Sequence, residues 1–345
     1  MKIAFFDAKG KRNQYLDQFN NNQHEFIYFK ENLTLDNIDK VKGFDAIGGS
    51  VNTRFNKEVL EQLHKNGVKF LLQRSMGYDN VDLATANKLG IEVFRVPNYS
   101  AESVAEMAVL MLLALNRNLL IANKRVSNYD FTINGLLGSC VHNSTVGVIG
   151  SGRIGQAFIK IIKAIGARIL VFDEPLQASN PELAQKLGFE FVTFDQMLSQ
   201  SDFISLHAPL LPSTKHIINA QSINKMKDGV IIINTARGEM IDTSAVLAGL
   251  KSGKIKGLAC DVLEREQGRF FLDRSADKAE LEKLDPEWKE LIQMDNVLIT
   301  PHYAYLTDVA LSQIAKITLD NANAAQRGDF TNALKLMPDG KVHNG

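Results

Sequence analysis

Short apolar runs alternate with amphipathic stretches along most of the chain. Five runs of strand length occur in the first hundred residues, and apolar residues at helical spacing separate several of them, near residues 57–65 and 83–88. The runs are KIAFFD, HEFIYF, FDAIGG, VKFLLQ and IEVFRV. Strands that alternate with helices in this way predict a small α/β unit built on a parallel sheet.

The same alternation returns after residue 144 and continues to about residue 300. Helices are predicted between apolar strands near residues 181–187, 195–198, 222–226 and 243–251, and the last strand near 296–300. This order is typical of a doubly wound nucleotide-binding fold. We therefore predict an α/β protein with two Rossmann-like, doubly wound parallel-sheet domains and an interdomain cleft.

Two interruptions of the pattern predict the domain limits. VPNYS, at residues 96–100, breaks the alternation before a long apolar helix, and a second crossing is expected after residue 301. The first domain is predicted to contain residues 1–99 and 302–345, and the second residues 100–301. An amphipathic helix from about 307 to 327 is expected to return and cover the first domain.

An apolar arm is predicted near residues 101–141, at the start of the second domain. After the long helix the arm carries Phe131, Leu136 and Leu137 on a segment that is predicted to be extended. Exposed side chains of this kind would be costly in an isolated chain, so they predict a homo-oligomer. A dimer and a tetramer made of such dimers are both compatible with the pattern.

The segment from residue 145 to 173, TVGVIGSGRIGQAFIKIIKAIGARILVFD, carries a glycine motif between two apolar strands. In such a motif Gly150 permits the tight turn, Gly152 lets the backbone approach a pyrophosphate, and Gly155 lets the helix pack on the strand. Asp173 is placed to accept from both ribose hydroxyls, and with Glu174 it would repel a 2′-phosphate. The segment predicts NAD binding in preference to NADP.

Composition narrows the class of partner. The 345 residues have a formal net charge of zero and 45% hydrophobic residues, so no basic surface points to nucleic acid or an anionic membrane. No apolar run approaches the ~20 residues of a membrane span, and MKIAFFDAKG is typical of a strand rather than a signal peptide. Cys140 and Cys260 lack metal-ligand spacing. We expect a cytoplasmic protein without a metal site.

Polar residues with binding potential follow two of the predicted strands. Arg237 comes directly after the apolar run VIIIN, where its guanidinium would be a bidentate partner for a carboxylate, unless it is a plain surface arginine. After VKFLLQ, the backbone N–H groups of RSMGYDNVD could hold an anion. The alternative for that stretch is an ordinary strand-to-helix turn capped by Asp79 or Asp82.

A histidine and a group of acids lie near the last strands. His302 closes the final strand, and Asp261, Glu264 and Glu266 offer carboxylates that could hold its imidazole protonated and oriented. Hydride transfer to a ketone needs such an acid. A histidine alone is more often structural. His207, the rival histidine, ends a strand beside the glycine motif, which indicates nucleotide contact instead.

In combination these motifs resemble those of the D-isomer-specific 2-hydroxyacid dehydrogenases, above all the NAD-dependent D-lactate dehydrogenases. The resemblance covers about residues 3–327. The segments that carry it are RSMGYDNVDL, RVPNYSAESVAE, GVIGSGRIGQ with Asp173, SLHAPLLPSTKHIIN, IINTARGEMIDTSAV, ACDVLEREQGRFF and ITPHYAYLT.

The resemblance implies a role for the residues that match. Arg237 would bind the carboxylate of a 2-oxo acid and polarise its ketone, and His302 would be the general acid in reduction and the base in oxidation. Glu266 would be the carboxylate partner of His302, with Glu264 separated from it only by motif register. The first domain would be the substrate domain. Other groups are implied to grip the substrate carboxylate, namely Tyr99 and the backbone at Met76 and Gly77.

The resemblance also implies the cofactor site and the reaction. NADH would donate hydride to C2 of pyruvate, giving D-lactate. The residues expected around NAD are Gly150, Gly152, Arg153, Ile154, Gly155, Asp173, His207, Pro209, Thr235, Ala236 and Asp261. Asp261 would also support the constellation near Arg237.

Two departures from the lactobacillus-type pattern leave the size of the substrate open. Gly48, Gly49 and Ser50 offer only small residues where a tyrosine is expected, and Tyr303 replaces a smaller residue. Phenylpyruvate and 2-oxoisocaproate are therefore alternatives to pyruvate, although RFFLDRSAD is similar to the lactate-forming branch. A non-enzymatic NAD-sensing protein on the same scaffold is a remote alternative, disfavoured because Arg237, Glu266 and His302 are all present.

Overall fold

The computed structural model describes residues 1–8, 12–49, 51–337 and 342–344. Strands and helices alternate through both predicted regions. The strands are β1 (Lys2–Phe5), β2 (Glu25–Tyr28), β3 (Ala46–Gly49), β4 (Phe70–Gln73), β5 (Glu92–Phe94), β6 (Thr145–Ile149), β7 (Arg168–Phe172), β8 (Glu190–Phe191), β9 (Phe203–Leu206), β10 (Val230–Asn234), β11 (Ile255–Cys260), β12 (Val297–Ile299), β13 (Ala333–Leu336) and β14 (Val342–Asn344).

The α-helices lie between these strands, as the apolar spacing predicts. They are α1 (Arg12–Asn20), α2 (Lys57–Lys65), α3 (Leu83–Leu89), α4 (Ala101–Asn116), α5 (Leu119–Val126), α6 (Arg153–Ile165), α7 (Glu174–Ser179), α8 (Leu183–Leu187), α9 (Phe194–Gln200), α10 (Ala220–Lys225), α11 (Thr243–Ser252), α12 (Lys278–Leu284), α13 (Pro286–Gln293) and α14 (Asp308–Gln326). The sequence pattern did not predict α1 to its limits, α7, or the strands β13 and β14, and α5 forms where an extended segment was expected.

The chain divides into two compact units, Met1–Ser100 with Leu306–Gly345, and Ala101–Tyr305. The predicted crossings after residues 99 and 301 lie close to these limits. His302 is placed differently, because the sequence assigned it to the first domain and the structure groups it with the second unit. Its neighbours explain the difference, since the buried carboxylate of Asp261 accepts hydrogen bonds from the backbone N–H groups of Tyr303 and Ala304.

The first unit contains a sheet in the order β14-β13-β5-β4-β3-β1-β2. Strands β1 to β5 are parallel, whereas β13 and β14 add to the edge as an antiparallel pair. Helix α14 covers one face of this sheet, where Ala315 and Leu319 pack with Phe5 and Leu72. The predicted amphipathic helix thus returns to the first unit.

The second unit contains a sheet in the order β12-β11-β10-β9-β6-β7-β8, and every pairing in it is parallel. The order reverses between β6 and β9, so the switch point lies beyond the ends of these two strands. All five residues of β10 are buried, which is why the strand has the continuous apolar run typical of a doubly covered parallel sheet.

Helix α4 and the segment after it differ in burial. The helix belongs to the core of the second unit, where Ala105, Ala108 and Leu112 pack beside the strands. Beyond it lie exposed apolar side chains, namely Leu119, Leu120, Val126, Tyr129, Phe131, Ile133 and Leu137. Within the described residues no single helix is long and apolar enough to span a membrane, and α4 with α5 reaches that length only as a pair bent by 62°.

The small residues at the end of β3 have a packing explanation. A Cβ atom on Gly48 would lie 2.0 Å from the ring of Phe5, and one on Gly49 would lie 2.4 Å from Oε1 of Gln73. Both glycines are buried, and neither position has room for a larger side chain. The third residue of this run, Ser50, lies outside the described residues. The absence of large side chains at 48 and 49 therefore reflects strand packing.

Candidate active site

The carboxyl ends of five neighbouring strands in the second unit carry the predicted site residues. In sheet order β12-β11-β10-β9-β6, the residues that follow these strands are His302, Asp261, Thr235 with Arg237, His207, and the glycine turn. Ligands of doubly wound sheets bind at this edge. Residues separated by more than 150 positions in the sequence thus lie along one edge of one sheet.

The three glycines of the turn have three different environments. Gly150 has φ +88°, and a Cβ there would lie 2.7 Å from the backbone of Ala208. A Cβ on Gly155 would lie 2.2 Å from the carbonyl oxygen of Gly150, so helix α6 packs directly on the turn. A Cβ on Gly152 would meet nothing within 4 Å, and no side chain caps the helix there. Open space over an uncapped helix N-terminus fits a pyrophosphate.

These environments predict different effects on stability for two matched substitutions. Gly155→Ala is expected to lower the free energy of unfolding by about 1–3 kcal/mol, because the new methyl overlaps a backbone oxygen. Gly152→Ala is expected to leave the melting temperature near that of the parent protein, because φ is −64° and a Cβ has space. It is expected to weaken NADH binding, because the methyl group occupies the space proposed for the pyrophosphate. Thermal unfolding and NADH fluorescence titration of both variants test this, and equal losses of stability would contradict it.

Asp173 lies directly beside the glycine turn. Its Oδ2 accepts hydrogen bonds from the backbone N–H of Ser151 at 2.7 Å and from its hydroxyl at 3.0 Å. Its Oδ1 accepts from the N–H of Leu176 at 3.1 Å and so caps α7. The carboxylate is thereby fixed at the end of β7, in the position predicted for a ribose contact.

Two buried polar atoms at the ends of β9 and β10 have no hydrogen-bond partner among the described residues. They are Nδ1 of His207 and the hydroxyl of Thr235. The other ring nitrogen of His207 lies 2.9 Å from the Ser205 hydroxyl. Because buried polar groups are normally paired, these two atoms fit a site for a polar ligand. Together with the glycine turn and Asp173, they are compatible with a dinucleotide.

Burial lowers the pKa of His207 to about 3. Its imidazole is therefore neutral at neutral pH, which favours His302 over His207 as the general acid. The remaining residues expected around NAD follow the same strands. Arg153 and Ile154 begin α6, Pro209 follows β9, and the N–H of Ala236 donates to Oδ1 of Asn234 at 3.0 Å.

His302 and Glu266 form a close pair. Nδ1 of His302 lies 2.6 Å from Oε1 of Glu266, and the other carboxylate oxygen accepts from the N–H of Leu263 at 3.0 Å. Since a carboxylate can only accept, Nδ1 carries the proton, and Nε2 is the ring nitrogen that Glu266 does not contact. His302 has φ +53°, which is uncommon for a residue with a side chain, and its ring lies 5.7 Å from that of Phe271.

The structure separates Glu266 from its rival Glu264, which only motif register distinguished in the sequence. Glu264 points to His216, with Oε1 2.6 Å from Nε2 of that ring, and it also accepts from the N–H of Thr243. His216 carries no sequence signal for a carboxylate partner, so this pair was missed. Nothing in the local sequence links the two, because 48 positions separate them and only the meeting of two loops brings them together.

Asp261 fixes the segment that carries His302. Its Oδ1 accepts from the Thr300 hydroxyl at 2.5 Å and from the N–H of Tyr303 at 3.0 Å, and its Oδ2 accepts from the N–H of Ala304 at 2.9 Å. Burial raises the pKa of Asp261, although these hydrogen bonds oppose the effect. Three donors on a buried carboxylate hold the backbone around His302 in its left-handed conformation.

Arg237 follows β10 and belongs to the same unit. The carbonyl oxygen of Arg237 accepts from Nδ2 of Asn234 at 2.8 Å, and its own guanidinium donates to the carbonyl of Ala236 at 2.7 Å. Its side chain is partly buried. It follows β10, which lies beside β11, the strand that ends directly before Asp261. The cation, the histidine and its carboxylate partner are the group types that binding an acid and transferring a proton need.

Comparison with known proteins shows the family to which the chain belongs. Residues 109–304 match the model of the D-isomer specific 2-hydroxyacid dehydrogenase, NAD binding domain. The chain belongs to this family. It is an NAD-dependent oxidoreductase of the D-2-hydroxyacid dehydrogenase class, as the motifs had implied.

Relatives match the dehydrogenase over nearly all of its length. It is 39% identical to the D-lactate dehydrogenase of Escherichia coli, over 95% of this chain and 98% of that one. The solved structure of the pyruvate reductase of Chlamydomonas reinhardtii is 36% identical, with a TM-score of 0.89 and coverage of 95% and 97%. A D-2-hydroxyisocaproate dehydrogenase structure is 35% identical, with a TM-score of 0.81 and coverage of 95% and 98%.

The first unit of the dehydrogenase holds the other residues predicted to contact substrate. Met76 and Gly77 follow β4, where their carbonyl oxygens accept from Arg95 at 2.8 Å and from the Ser75 hydroxyl at 2.6 Å. Asp82 caps α3 by accepting from the N–H of Thr85, so the alternative prediction of a capped turn is correct for Asp82. Tyr99 lies near the end of the unit and is partly exposed.

Proposed function

We propose that the dehydrogenase reduces pyruvate to D-lactate with NADH. The observation that carries the proposal is the contact between Nδ1 of His302 and Oε1 of Glu266 at 2.6 Å. His302 follows β12, which lies two strands from β10, the strand before Arg237. The relatives named for D-lactate and for pyruvate reduction support the choice of acid.

The chain's own residues supply binding and proton transfer. Arg237 presents a planar guanidinium that binds the substrate carboxylate with two parallel hydrogen bonds and polarises the neighbouring ketone. NADH, when bound, supplies the hydride. Protonated His302 donates from Nε2 to the oxygen that develops negative charge, and Glu266 stabilises the imidazolium and fixes its orientation through Nδ1. In the reverse direction the neutral imidazole accepts the proton.

Residues of the first unit complete the proposed site. Tyr99 and the backbone at Met76 and Gly77 are assigned to the substrate carboxylate, and the cofactor residues to NAD, because they match the motifs of the family. The interdomain cleft expected from the sequence stays a prediction.

The substrate pocket is proposed to accept the small side chain of pyruvate. Gly48 and Gly49 are the small residues that favoured a larger acid, and strand packing accounts for both of them. A larger acid is the second candidate, because a dehydrogenase named for 2-hydroxyisocaproate has a closely similar structure.

A substrate panel separates these two candidates. NADH oxidation by the purified protein is measured with pyruvate, phenylpyruvate, 2-oxoisocaproate and hydroxypyruvate, and kcat/KM is compared. Pyruvate is expected to give the highest value. A higher value for 2-oxoisocaproate or phenylpyruvate would reject the choice of pyruvate while leaving the class of reaction intact, and no turnover of any 2-oxo acid would favour a non-enzymatic NAD-binding role.

The exposed apolar arm supports a homo-oligomer. Tyr129, Phe131, Ile133 and Leu137 are all at least 70% exposed and lie in one short segment after α5. Light scattering after gel filtration is expected to give a dimer or tetramer, and Phe131→Asp with Leu137→Asp is expected to reduce its size, because charges replace buried apolar contacts. A monomeric parent protein would contradict the proposal.

A cytoplasmic location is also proposed. Cys140 is exposed, Cys260 is buried, and both are free thiols. Free thiols suit a reducing compartment.

A further inference from the structure

A second histidine–carboxylate pair lies two residues from Glu266. Oε1 of Glu264 is 2.6 Å from Nε2 of His216, and Oε2 accepts from the N–H of Thr243 at 3.0 Å and from its hydroxyl at 2.5 Å. Burial by itself raises the pKa of Glu264, but these hydrogen bonds outweigh burial and hold the pKa below its ordinary value. We call Glu264, His216 and Thr243 the Glu264 clamp.

The backbone of Glu264 and Leu263 is also fixed by its neighbours. The indole N–H of Trp288 donates to the carbonyl oxygen of Glu264 at 3.1 Å. On the other side Gly238 lies so close that a Cβ there would be 2.0 Å from the carbonyl carbon of Leu263. Three elements, the loop after β9, the start of α11 and helix α13, thus converge on Glu264, and the peptide before it packs against the glycine next to Arg237.

The turn at residues 263–266 connects the Glu264 clamp to the pair formed by Glu266 and His302. Leu263 donates its N–H to Oε2 of Glu266, and Oε1 of Glu266 contacts His302. Between the two glutamates, Arg265 has φ +62°, a conformation that a residue with a side chain rarely adopts without support. A shift of the peptide at Leu263 would therefore move the N–H that aims the Glu266 carboxylate at His302.

We propose that Glu264 and His216 are positioning residues for proton transfer, which act by holding the turn that orients Glu266. This inference rests on the roles proposed above for His302 and Glu266. Neither Glu264 nor His216 is assigned to substrate or cofactor. Their effect on catalysis is expected to appear through Glu266, since small misplacements of a catalytic group lower turnover strongly.

The test measures kcat and KM for pyruvate, and NADH affinity, in Glu264→Ala, Glu264→Gln and His216→Ala. Glu264→Ala is expected to lower kcat by about 10-fold while NADH affinity changes little, because the clamp lies on the acid–base side of the site. Glu264→Gln keeps the length and most acceptor capacity, so it should recover most of this loss. His216→Ala should lower kcat less than Glu264→Ala does. Glu190→Ala, which removes an exposed glutamate of the same unit, is the matched control.

A double-mutant cycle decides whether the effect passes through Glu266. Glu264→Ala is introduced into the parent protein and into Glu266→Gln, and the two changes in kcat are compared. If Glu264 acts by positioning Glu266, its effect should shrink to within about 2-fold in the Glu266→Gln background. An equal 10-fold loss in both backgrounds, or parent-like kcat in Glu264→Ala, would overturn the inference.

The same cycle keeps this inference separate from the proposed function. If the protein prefers another 2-oxo acid, the cycle is run with that acid and its ratios keep their meaning. If Glu266→Gln itself has parent-like kcat, the catalytic pair is wrong and the positioning inference falls with it. Should Glu264→Ala fail to fold, His216→Ala is placed in both backgrounds, and the same outcomes decide.

Discussion

Replacing His302 by asparagine is expected to lower kcat for 2-oxo acid reduction by a factor on the order of 10²–10⁴, the usual contribution of a positioned general acid. Asparagine is chosen because His302 has φ +53°, a conformation that asparagine tolerates better than alanine. The substitution therefore removes the imidazole while keeping the backbone that Asp261 holds. Steady-state NADH oxidation with saturating pyruvate measures the loss.

A matched control keeps this result specific. His64→Asn changes the same residue type at an exposed site on helix α2 and should leave kcat unchanged. The His302 variant should also retain NADH binding, because the imidazole is assigned to proton transfer. Parent-like kcat in His302→Asn, with the fold and NADH affinity intact, would reject His302 as the acid–base group.

Arg237→Lys is expected to raise KM for the 2-oxo acid by roughly 10- to 100-fold, with a smaller effect on NADH affinity. Lysine keeps the positive charge but presents a point charge where the guanidinium presents two parallel donors. Losing one charge-assisted hydrogen bond costs about 1.5–3 kcal/mol, which corresponds to that change in affinity. Initial rates over a range of pyruvate concentrations give the KM.

Arg168→Lys is the control for this substitution. Arg168 makes a paired contact with Glu190 at the protein surface, with Nε 2.8 Å from the carboxylate, and it begins β7 at the end of the sheet away from the site. Its replacement should leave KM unchanged. If Arg237→Lys also has a parent-like KM, then Arg237 does not bind the substrate carboxylate.

Most of the fold and much of the site follow from local sequence patterns. Parallel strands buried on both faces, such as VIIIN of β10, have apolar runs that stand out from the helices between them. Because parallel strands all end at the same edge, polar residues that follow such runs must lie near one another. The sequence alone therefore predicts that Arg237, the acids near Glu266 and His302 lie at the carboxyl ends of strands.

The choice between Glu264 and Glu266 could not be made in this way. Both follow β11 at nearly the same separation, and the left-handed conformation of Arg265 between them sends the two carboxylates to different histidines. A backbone conformation of this kind at a residue other than glycine has no sequence signal. The partnership of Glu264 with His216 was missed for the same reason.

Packing contacts also explain features of the structure that could not be predicted from the residue types alone. Gly48 and Gly49 suggested an enlarged pocket when only their size was known, whereas their neighbours Phe5 and Gln73 explain that size. The edge strands β13 and β14 are short and pair antiparallel with the first sheet, so their stability depends on partners distant in sequence. Local propensity gives little information on contacts of this kind.

The most direct test of the account is the configuration of the product. Purified protein is incubated with pyruvate and excess NADH, and the lactate is resolved by chiral chromatography while NADH consumption is recorded. The account predicts D-lactate alone, with one molecule formed for each NADH oxidised. L-lactate, a racemic product, or NADH oxidation without lactate would contradict it.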